Sequence, residues 1–409
     1  DIAMAGPLSG IRILDATAMI AGPLATALLG DQGAEILKLE PPGGGDHTRQ
    51  VAGRRNGVAA AFLHNNRSKR SIALNLKDPE GVEAALRLAE TADVFVQNWR
   101  PGVAERLGLG EAAVRARRPD IVYVSIAGFG FDGPWARRPV YDPLIQALSG
   151  LASVQGAGGR PRLVRTILPD KATALTASQA ITAALLARAR TGRGDHVRLS
   201  MLDAISHFLW ASDMTGLTFP DAPPREPQAE AKAQSFVELI YETQDGHMAV
   251  SAHTDVTWKG LSRAVNRPDW LDDPRFATVE AREVNKAARL EITQEALLGD
   301  TTERWMARLE AEDVPCAPVL SRSQTLTHPQ IEANGTVLER EHPQAGRYRQ
   351  ARAPAVFDVH AAEPPGHARA LGADTEAALA EAGYAPDEIA RLLETGAAAA
   401  PSPAQEAAE

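Results

Sequence analysis

The chain has 409 residues, 44% of them hydrophobic, and a formal net charge of -9. That apolar content excludes an intrinsically disordered chain and fills a core large enough for two domains, while the acidic balance argues against general nucleic-acid binding, which needs a basic face. The single cysteine, Cys316, excludes an internal disulfide and a thiolate zinc site, and no run approaches the ~20 apolar residues of a membrane span.

The elements follow in order. Residues 11–17 (IRILDAT) read as a strand and 20–23 as a turn, with Pro23 suited to a first helical position. Residues 24–33 form a short helix closed by Gly33, and 34–40 the next strand. A second unit repeats the pattern: a strand at 70–76, a helix at 78–92 and a strand at 93–99. A further strand follows at 120–128. Strands alternating with helices at this spacing imply an α/β fold with a parallel, doubly wound sheet. A long alanine-rich helix over about 171–190 is broken by TGRG (191–194) and followed by a strand at 195–201. Residues 219–234, rich in proline and charge, read as a linker or mobile loop. The texture of 235–325 is that of a smaller α+β domain opened by two strands, SFVELIYET and HMAVSAH. Residues 326–395 carry proline-rich loops and one last helix, and 396–409 read as a disordered tail. The opening DIAMAGPLSG lacks the pattern of a signal peptide, and with the lone cysteine it predicts a cytoplasmic protein.

Short motifs exclude several chemistries. GFGFDG (128–133) matches the dinucleotide fingerprint literally, but no helix start follows it, so a tight glycine turn is the better reading. The ten histidines show no metal-ligand spacing, and no metal site is expected. No G-x-S-x-G elbow marks a serine hydrolase. Basic residues recur at strand ends, which face the ligand crevice of a doubly wound sheet: Arg67, Lys69, Lys77, Arg100 and Arg106 together suit a phosphate-binding rim. Asp170 stands at the head of the alanine-rich helix with no second acid nearby in sequence. An N-cap is the commoner role for such a residue, with its side chain accepting from the amide of Ala172 or Thr173. The helix dipole also keeps such a carboxylate ionised, and an ionised, positioned carboxylate can act as a nucleophile. These considerations leave both roles open.

Several stretches, in this order, resemble the family III CoA-transferases of the CaiB/BaiF group over residues 6–395. They are GPLSGIRILDATAMIAGP, LLGDQGAEILKLEPPGGGDHTR, NNRSKRSIALNLKDPEG, ADVFVQNWRPGVAERLGLG, VYVSIAGFGFDGP, YDPLIQALSGL, TGRGDHVRLSMLDA and VPCAPV. The resemblance implies a Rossmann-like large domain built from both chain ends (1–218 and 326–395), a linker (219–234), a smaller inserted domain (235–325) and an interlocked homodimer. It implies that Asp170 is the nucleophile. CoA contacts would fall on Met19, Ile20 and Ala21, on Leu74, Asn75 and Lys77, on Asn98, Trp99 and Arg100, on Arg106, and on Pro139, Val140, Tyr141 and Asp142. The substrates would be acyl-CoA esters and small carboxylic acids, with no tightly bound cofactor, no nucleic acid and no membrane partner. CoA would pass from donor to acceptor through an aspartyl anhydride and an aspartyl-CoA thioester on Asp170.

Two other readings accompany this one. The α-methylacyl-CoA racemases share the fold and an aspartate at the Asp170 position, but they carry a histidine where this chain has Tyr141. An unperturbed tyrosine titrates near ~10 against ~6.5 for histidine and is a poor proton shuttle at neutral pH, which favours transfer over racemisation. A non-catalytic CoA-binding protein would keep the fold and use Asp170 as a cap. Two features depart from the pattern: no glycine-rich run that would close over the nucleophile lies between 215 and 260, and Ile20 stands where formyl-CoA transferases have glutamine. Cys316, flanked by apolar residues and prolines, reads as packing. Arg162 and Arg165, just before Asp170, are candidates for holding the far carboxylate of an acceptor such as a small dicarboxylate.

Overall fold

Neighbouring residues in the first strands point to opposite faces, and both faces are apolar. Ile13 and Leu14, Ile36 and Leu37, and Val94 and Phe95 are all fully buried. A sheet of this kind must be covered on both sides, which is the usual setting of parallel strands. In the computed structural model, which describes residues 6–51, 53–156, 160–221 and 239–401, it is. Strands β1 (Arg12–Ala16), β2 (Glu35–Glu40), β3 (Lys69–Leu74), β4 (Val94–Gln97), β5 (Val122–Ala127) and β6 (His196–Ser200) run parallel in the order β3-β2-β1-β4-β5-β6. A short C-terminal strand, Ala398–Ala399, pairs antiparallel outside β3 as the seventh. The order reverses between β1 and β4, and the loops leaving the carboxyl ends of strands on either side of such a point form a crevice.

Helices α1 (Ala21–Gly30), α2 (Pro79–Glu90), α3 (Asp142–Leu148), α4 (Leu168–Thr191) and α5 (Met201–Trp210) follow in chain order. On one face, Ala25 and Leu29 of α1 and Ala174, Ala177 and Ile181 of α4 pack on Ile13, Val94 and Val122. Alanines at this spacing let the long α4 lie close against α1. On the other face, α2 joins two C-terminal helices, Thr375–Glu381 and Pro386–Thr395, over Leu14, Leu37 and Phe95. Asp78 caps α2 by accepting from the Glu80 amide at 2.9 Å, and Pro79 takes the first helical position.

The chain divides into two compact units. The first contains residues through Leu151, Leu163–Thr215 and everything from Asn334 onward; the second contains Ala152–Arg162 and Gly216–Ala333. The second unit holds an antiparallel sheet of three short strands, Ile240–Glu242, His247–Val250 and Cys316–Pro318. Its core is aromatic, built on Trp258, Trp270, Phe276 and Trp305. Among the described residues no helix is long and apolar enough to cross a membrane.

Several boundaries differ from the sequence reading. Helix α1 starts at Ala21, so Pro23 occupies its third position, and it ends at Gly30, before Gly33. Helix α4 starts at Leu168 with Ile167 as a capless N-cap, which moves Asp170 from the cap into the first turn. The expected linker falls mostly outside the described residues. The expected disordered tail is ordered at its start: Ala397 and Ala398 are buried, and the Ala397 carbonyl accepts from the Asn75 amide at 2.8 Å. One expected C-terminal helix is two, preceded by a hairpin of Val337–His342 and Gly346–Ala351.

Candidate active site

The turn between β1 and α1 is held by hydrogen bonds from both of its sides. Thr17 donates its amide and its hydroxyl to the Asp15 carboxylate, at 2.9 and 2.5 Å. Lys38 Nζ donates to the Thr17 carbonyl at 2.9 Å. The Ala18 amide donates to Asn98 Oδ1 at 2.9 Å, and the Ala18 carbonyl accepts from Asn98 Nδ2 at 2.8 Å, joining the β1 and β4 loops across the reversal point. The Met19 amide donates to Asp46 Oδ1 at 3.3 Å. Met19 has φ of 70°, a left-handed conformation that costs a non-glycine residue of order 1 kcal/mol and persists only when the surroundings impose it.

Beneath this turn lies a buried charge network. Lys69 pairs with Asp15 at 2.8 Å, Lys38 with Asp46 at 3.0 Å, and Arg49 with Glu40 at 2.6 Å. Burial alone would raise the Asp15 carboxyl, but Lys69 and Lys38 hold it well below its ordinary range. Burial would lower the Lys38 ammonium, but Asp15, Asp46 and Glu40 together raise it. Burial does lower the Lys69 ammonium, to about 8, against the opposing pull of Asp15. Buried charges arranged this way fix geometry more than they add stability.

Asp170 sits in the first turn of α4, half-buried. Its amide donates to Asp142 Oδ2 at 3.1 Å, and Asp142, itself buried at the start of α3, accepts from Gln146 Nε2 at 2.7 Å through its other oxygen. The backbone amide of Ala21, at the N-terminus of α1, favours the charged form of the Asp170 carboxyl. Burial pushes the Asp170 carboxyl up to about 6, with the Asp142 charge adding to the rise and the Ala21 amide opposing it. The acid without a near neighbour in sequence therefore has one in space, 28 residues away. A carboxyl near 6 is mostly ionised at neutral pH, but its pKa stands above that of an ordinary aspartate, opposite to the lowering expected from the helix dipole.

A cleft of about 320 Å³ opens at the carboxyl ends of β1, β2, β3 and β4. Ala18, Pro41, Leu74, Asn75, Lys77 and Trp99 are among its walls, and its lining is mainly apolar. Of the residues expected to touch CoA, it brings together Leu74, Asn75, Lys77 and Trp99. Met19, Ile20 and Ala21 form the adjoining turn, and Arg100 and Arg106 are exposed just past β4. Pro139 and Tyr141 are exposed, Val140 is half-buried, and Asp142 is turned inward against the Asp170 amide. Arg165 is exposed in the first unit, and Arg162 falls in the second.

Two rim candidates are excluded. Lys69 is buried in its pair with Asp15, and Arg67 forks onto Asp31, donating from Nε at 2.8 Å and from Nη2 to the other oxygen. Lys77, Arg100 and Arg106 remain. The sequence reading missed Glu40, Asp46 and His47, which also line the cleft. The only signal was the crowding of acids with glycines in LEPPGGGDH just past a strand.

A sequence profile described as CoA-transferase family III matches residues 8–375. The chain is 35% identical over 371 residues to succinyl-CoA:glutarate CoA-transferase of Mus musculus, covering 88% of this chain and 83% of that protein. It is 33% identical over 416 residues to formyl-CoA:oxalate CoA-transferase of Escherichia coli O157:H7, covering 96% of this chain and 100% of that one. Among solved structures, a CaiB/BaiF family protein from Brucella suis superposes with a TM-score of 0.81 at 30% identity, over 92% of this chain and 100% of the other.

Proposed function

The chain belongs to CoA-transferase family III and is a CoA-transferase, and from that premise we propose that Asp170 is the nucleophile that carries CoA from an acyl-CoA donor to a carboxylate acceptor. The observation that carries this reading is the Asp170 carboxyl itself, half-buried in the first turn of α4, with the Asp170 amide donating to Asp142 and the carboxyl pKa raised by burial to about 6. An ionised carboxylate needs no base to attack a thioester. One Asp170 oxygen adds to the thioester carbon; the carbon–sulfur bond breaks, and CoA leaves as thiolate, giving an aspartyl anhydride. The thiolate then attacks the aspartyl carbonyl, forming aspartyl-CoA thioester and releasing the donor acid. The acceptor carboxylate repeats the two steps in reverse and restores Asp170. No net proton is taken up or lost.

Positioning supplies most of the rate in such a sequence, with effective molarities of about 10⁵–10⁸ M for well-held partners. The CoA chain is assigned to the apolar cleft beside Leu74 and Trp99, and its phosphates to Lys77, Arg100 and Arg106. Donor and acceptor are assigned to small dicarboxylic acids and their CoA thioesters, by similarity to the succinyl-CoA:glutarate relative above, with Arg165 holding the far carboxylate. The active form is assigned as an interlocked homodimer. Leu175 and Leu186 on α4 and Phe208 and Trp210 on α5 are each at least half exposed in the single chain, and a second copy would cover them.

Trapping tests the nucleophile. The protein is incubated with succinyl-CoA and glutarate, quenched with hydroxylamine, and digested for mass spectrometry. A hydroxamate on Asp170 is expected, together with a loss of turnover of at least about a thousandfold in Asp170→Ala. Exchange of the donor α-proton without any adduct would instead mean racemase chemistry, and CoA binding with neither signal would mean a binding protein.

A further inference from the structure

We infer that Gln97 is a positioning residue for CoA-ester binding: its carboxamide, oriented by Ser125 and His196, holds the Trp99 amide and so fixes the loop that carries Asn98 and Trp99 to the cleft. The inference rests on the assignment of that cleft to CoA and is independent of which residue is acylated.

The contacts run in one line across β4, β5 and β6. Gln97, the last residue of β4, accepts from the Trp99 amide through Oε1 at 2.8 Å and so closes the chain tightly over Asn98. Its Nε2 donates to Ser125 Oγ at 3.0 Å, and Ser125 Oγ lies 3.0 Å from His196 Nε2. Strand register puts these side chains on one face of the sheet. Gln97 pairs with Ser125, and His196 pairs with Tyr123, two residues before Ser125. Tyr123 stacks on Phe95 at 5.2 Å and meets the His196 ring edge-on at 5.1 Å, which holds the imidazole in place. The other end of the line is the crevice. Trp99 lines the cleft, and Asn98 bonds both the amide and the carbonyl of Ala18 in the turn after β1.

The line has a direction. A carboxamide has one donor end and one acceptor end, and a hydroxyl can donate only once. With the Ser125 hydroxyl donating to His196 Nε2, its oxygen is left to accept from Gln97 Nε2, and the carboxamide oxygen is left for the Trp99 amide. The carboxamide turned over would set its NH2 against the Trp99 N–H, two donors face to face. His196 therefore accepts at Nε2 and carries its proton on Nδ1. Burial lowers the His196 pKa, which keeps the imidazole neutral and able to accept.

Stability alone does not explain the polar row. Gln97 and Ser125 are buried, and their neighbours along the two strands, Val94, Val96, Val122 and Val124, are buried and apolar. A bonded polar pair in such a core is worth little more than an apolar pair of the same shape, so the row is spent on where the Trp99 amide sits.

The test measures affinity for a non-reactive CoA thioether by calorimetry in the parent, Trp99→Ala, Gln97→Met and Gln97→Glu. Methionine matches glutamine in length and offers the Trp99 amide no oxygen; glutamate keeps one. Gln97→Met is expected to weaken binding by about three- to tenfold, and to raise KM for the CoA ester alike while kcat changes less than about twofold. Gln97→Glu is expected to stay within about twofold of the parent in affinity. Equal affinities in the parent and Gln97→Met, or equal weakening in the Met and Glu variants, overturn the inference; a purely structural part would lower Tm and leave affinity alone. Should Gln97→Met fail to fold, Ser125→Ala replaces it. It frees the carboxamide to turn over and is expected to weaken binding by about threefold, and unchanged affinity there overturns the inference. A parent that does not bind the thioether, or a Trp99→Ala protein that binds it as tightly as the parent, overturns the assignment of the cleft instead, which separates the two failures.

Discussion

At the scale of single residues, the charge of Asp170, the proposed nucleophile, bears on stability. Its ordinary pKa is 3.8, and in the fold burial and Asp142 raise it to about 6. A raised acid favours folding while protonated. That contribution is complete below pH 3.8 and is lost as pH rises through about 6, so the ionised side chain opposes folding at neutral pH. At about 1.4 kcal/mol per pH unit the cost reaches at most about 3 kcal/mol. Asp170→Asn, neutral throughout, is expected to unfold at higher urea than the parent at pH 7.5 by about 1–3 kcal/mol, and to match it near pH 4. Equal midpoints at both pH values would mean that the carboxylate is not strained by its surroundings. Arg67 and Lys69 show the opposite limit of residue-level reading. Both stand near a strand end, where a rim was expected, yet one forks onto Asp31 and the other is buried on Asp15. Both lie at the amino end of β3, whereas the cleft opens at the carboxyl ends, and nearness to a strand end in sequence does not tell the two ends apart.

At the scale of elements, the strands and helices of the sheet were legible because their apolar periods are strong. Alternating pairs such as Ile36 and Leu37 bury both faces, and the alanine spacing of α4 makes one face of a long helix. Helix starts were less legible. α1 and α4 each begin about three residues before the expected position, because neither has a side-chain cap to announce it. Gly81, inside α2, shows packing overruling propensity. Alanine is preferred to glycine in a helix by about 1 kcal/mol. A Cβ at Gly81, however, would lie 2.2 Å from the Asn75 carbonyl, a backbone atom that cannot swing aside. Gly81→Ala is therefore expected to lower stability by about 2 kcal/mol, despite the better helix former, and to raise KM for the CoA ester, because Asn75 lines the cleft. A stabilised Gly81→Ala protein would show that α2 can shift on the sheet without cost.

At the scale of the whole chain, the order of the pieces matters as much as their identity. The first unit is assembled from both sides of the second, and its last strand returns to the outer edge of β3. That strand also anchors the turn after β3, where the Ala397 carbonyl takes the Asn75 amide. Ending the chain at Gly396 is expected to lower Tm by roughly 5 °C and to weaken CoA-ester binding, as read by calorimetry with a non-reactive thioether analogue. An unchanged Tm would show that the edge strand contributes nothing to the sheet.

The sequence by itself determined an α/β fold with a parallel-dominated sheet and the CoA-transferase family to which the chain belongs. Hydrophobic period sets strand and helix locally, and several ordered stretches carried the family resemblance across nearly the whole length. It also singled out Asp170, because an acid at the head of a long alanine-rich helix stands out in one dimension. Only the tertiary structure decided what surrounds that acid. Asp142 arrives from α3, and the start of α1 brings Ala21. Electrostatic and hydrogen-bond contacts act over a few ångströms of space, and residues 28 to 149 positions apart in the chain become neighbours only once the sheet has formed.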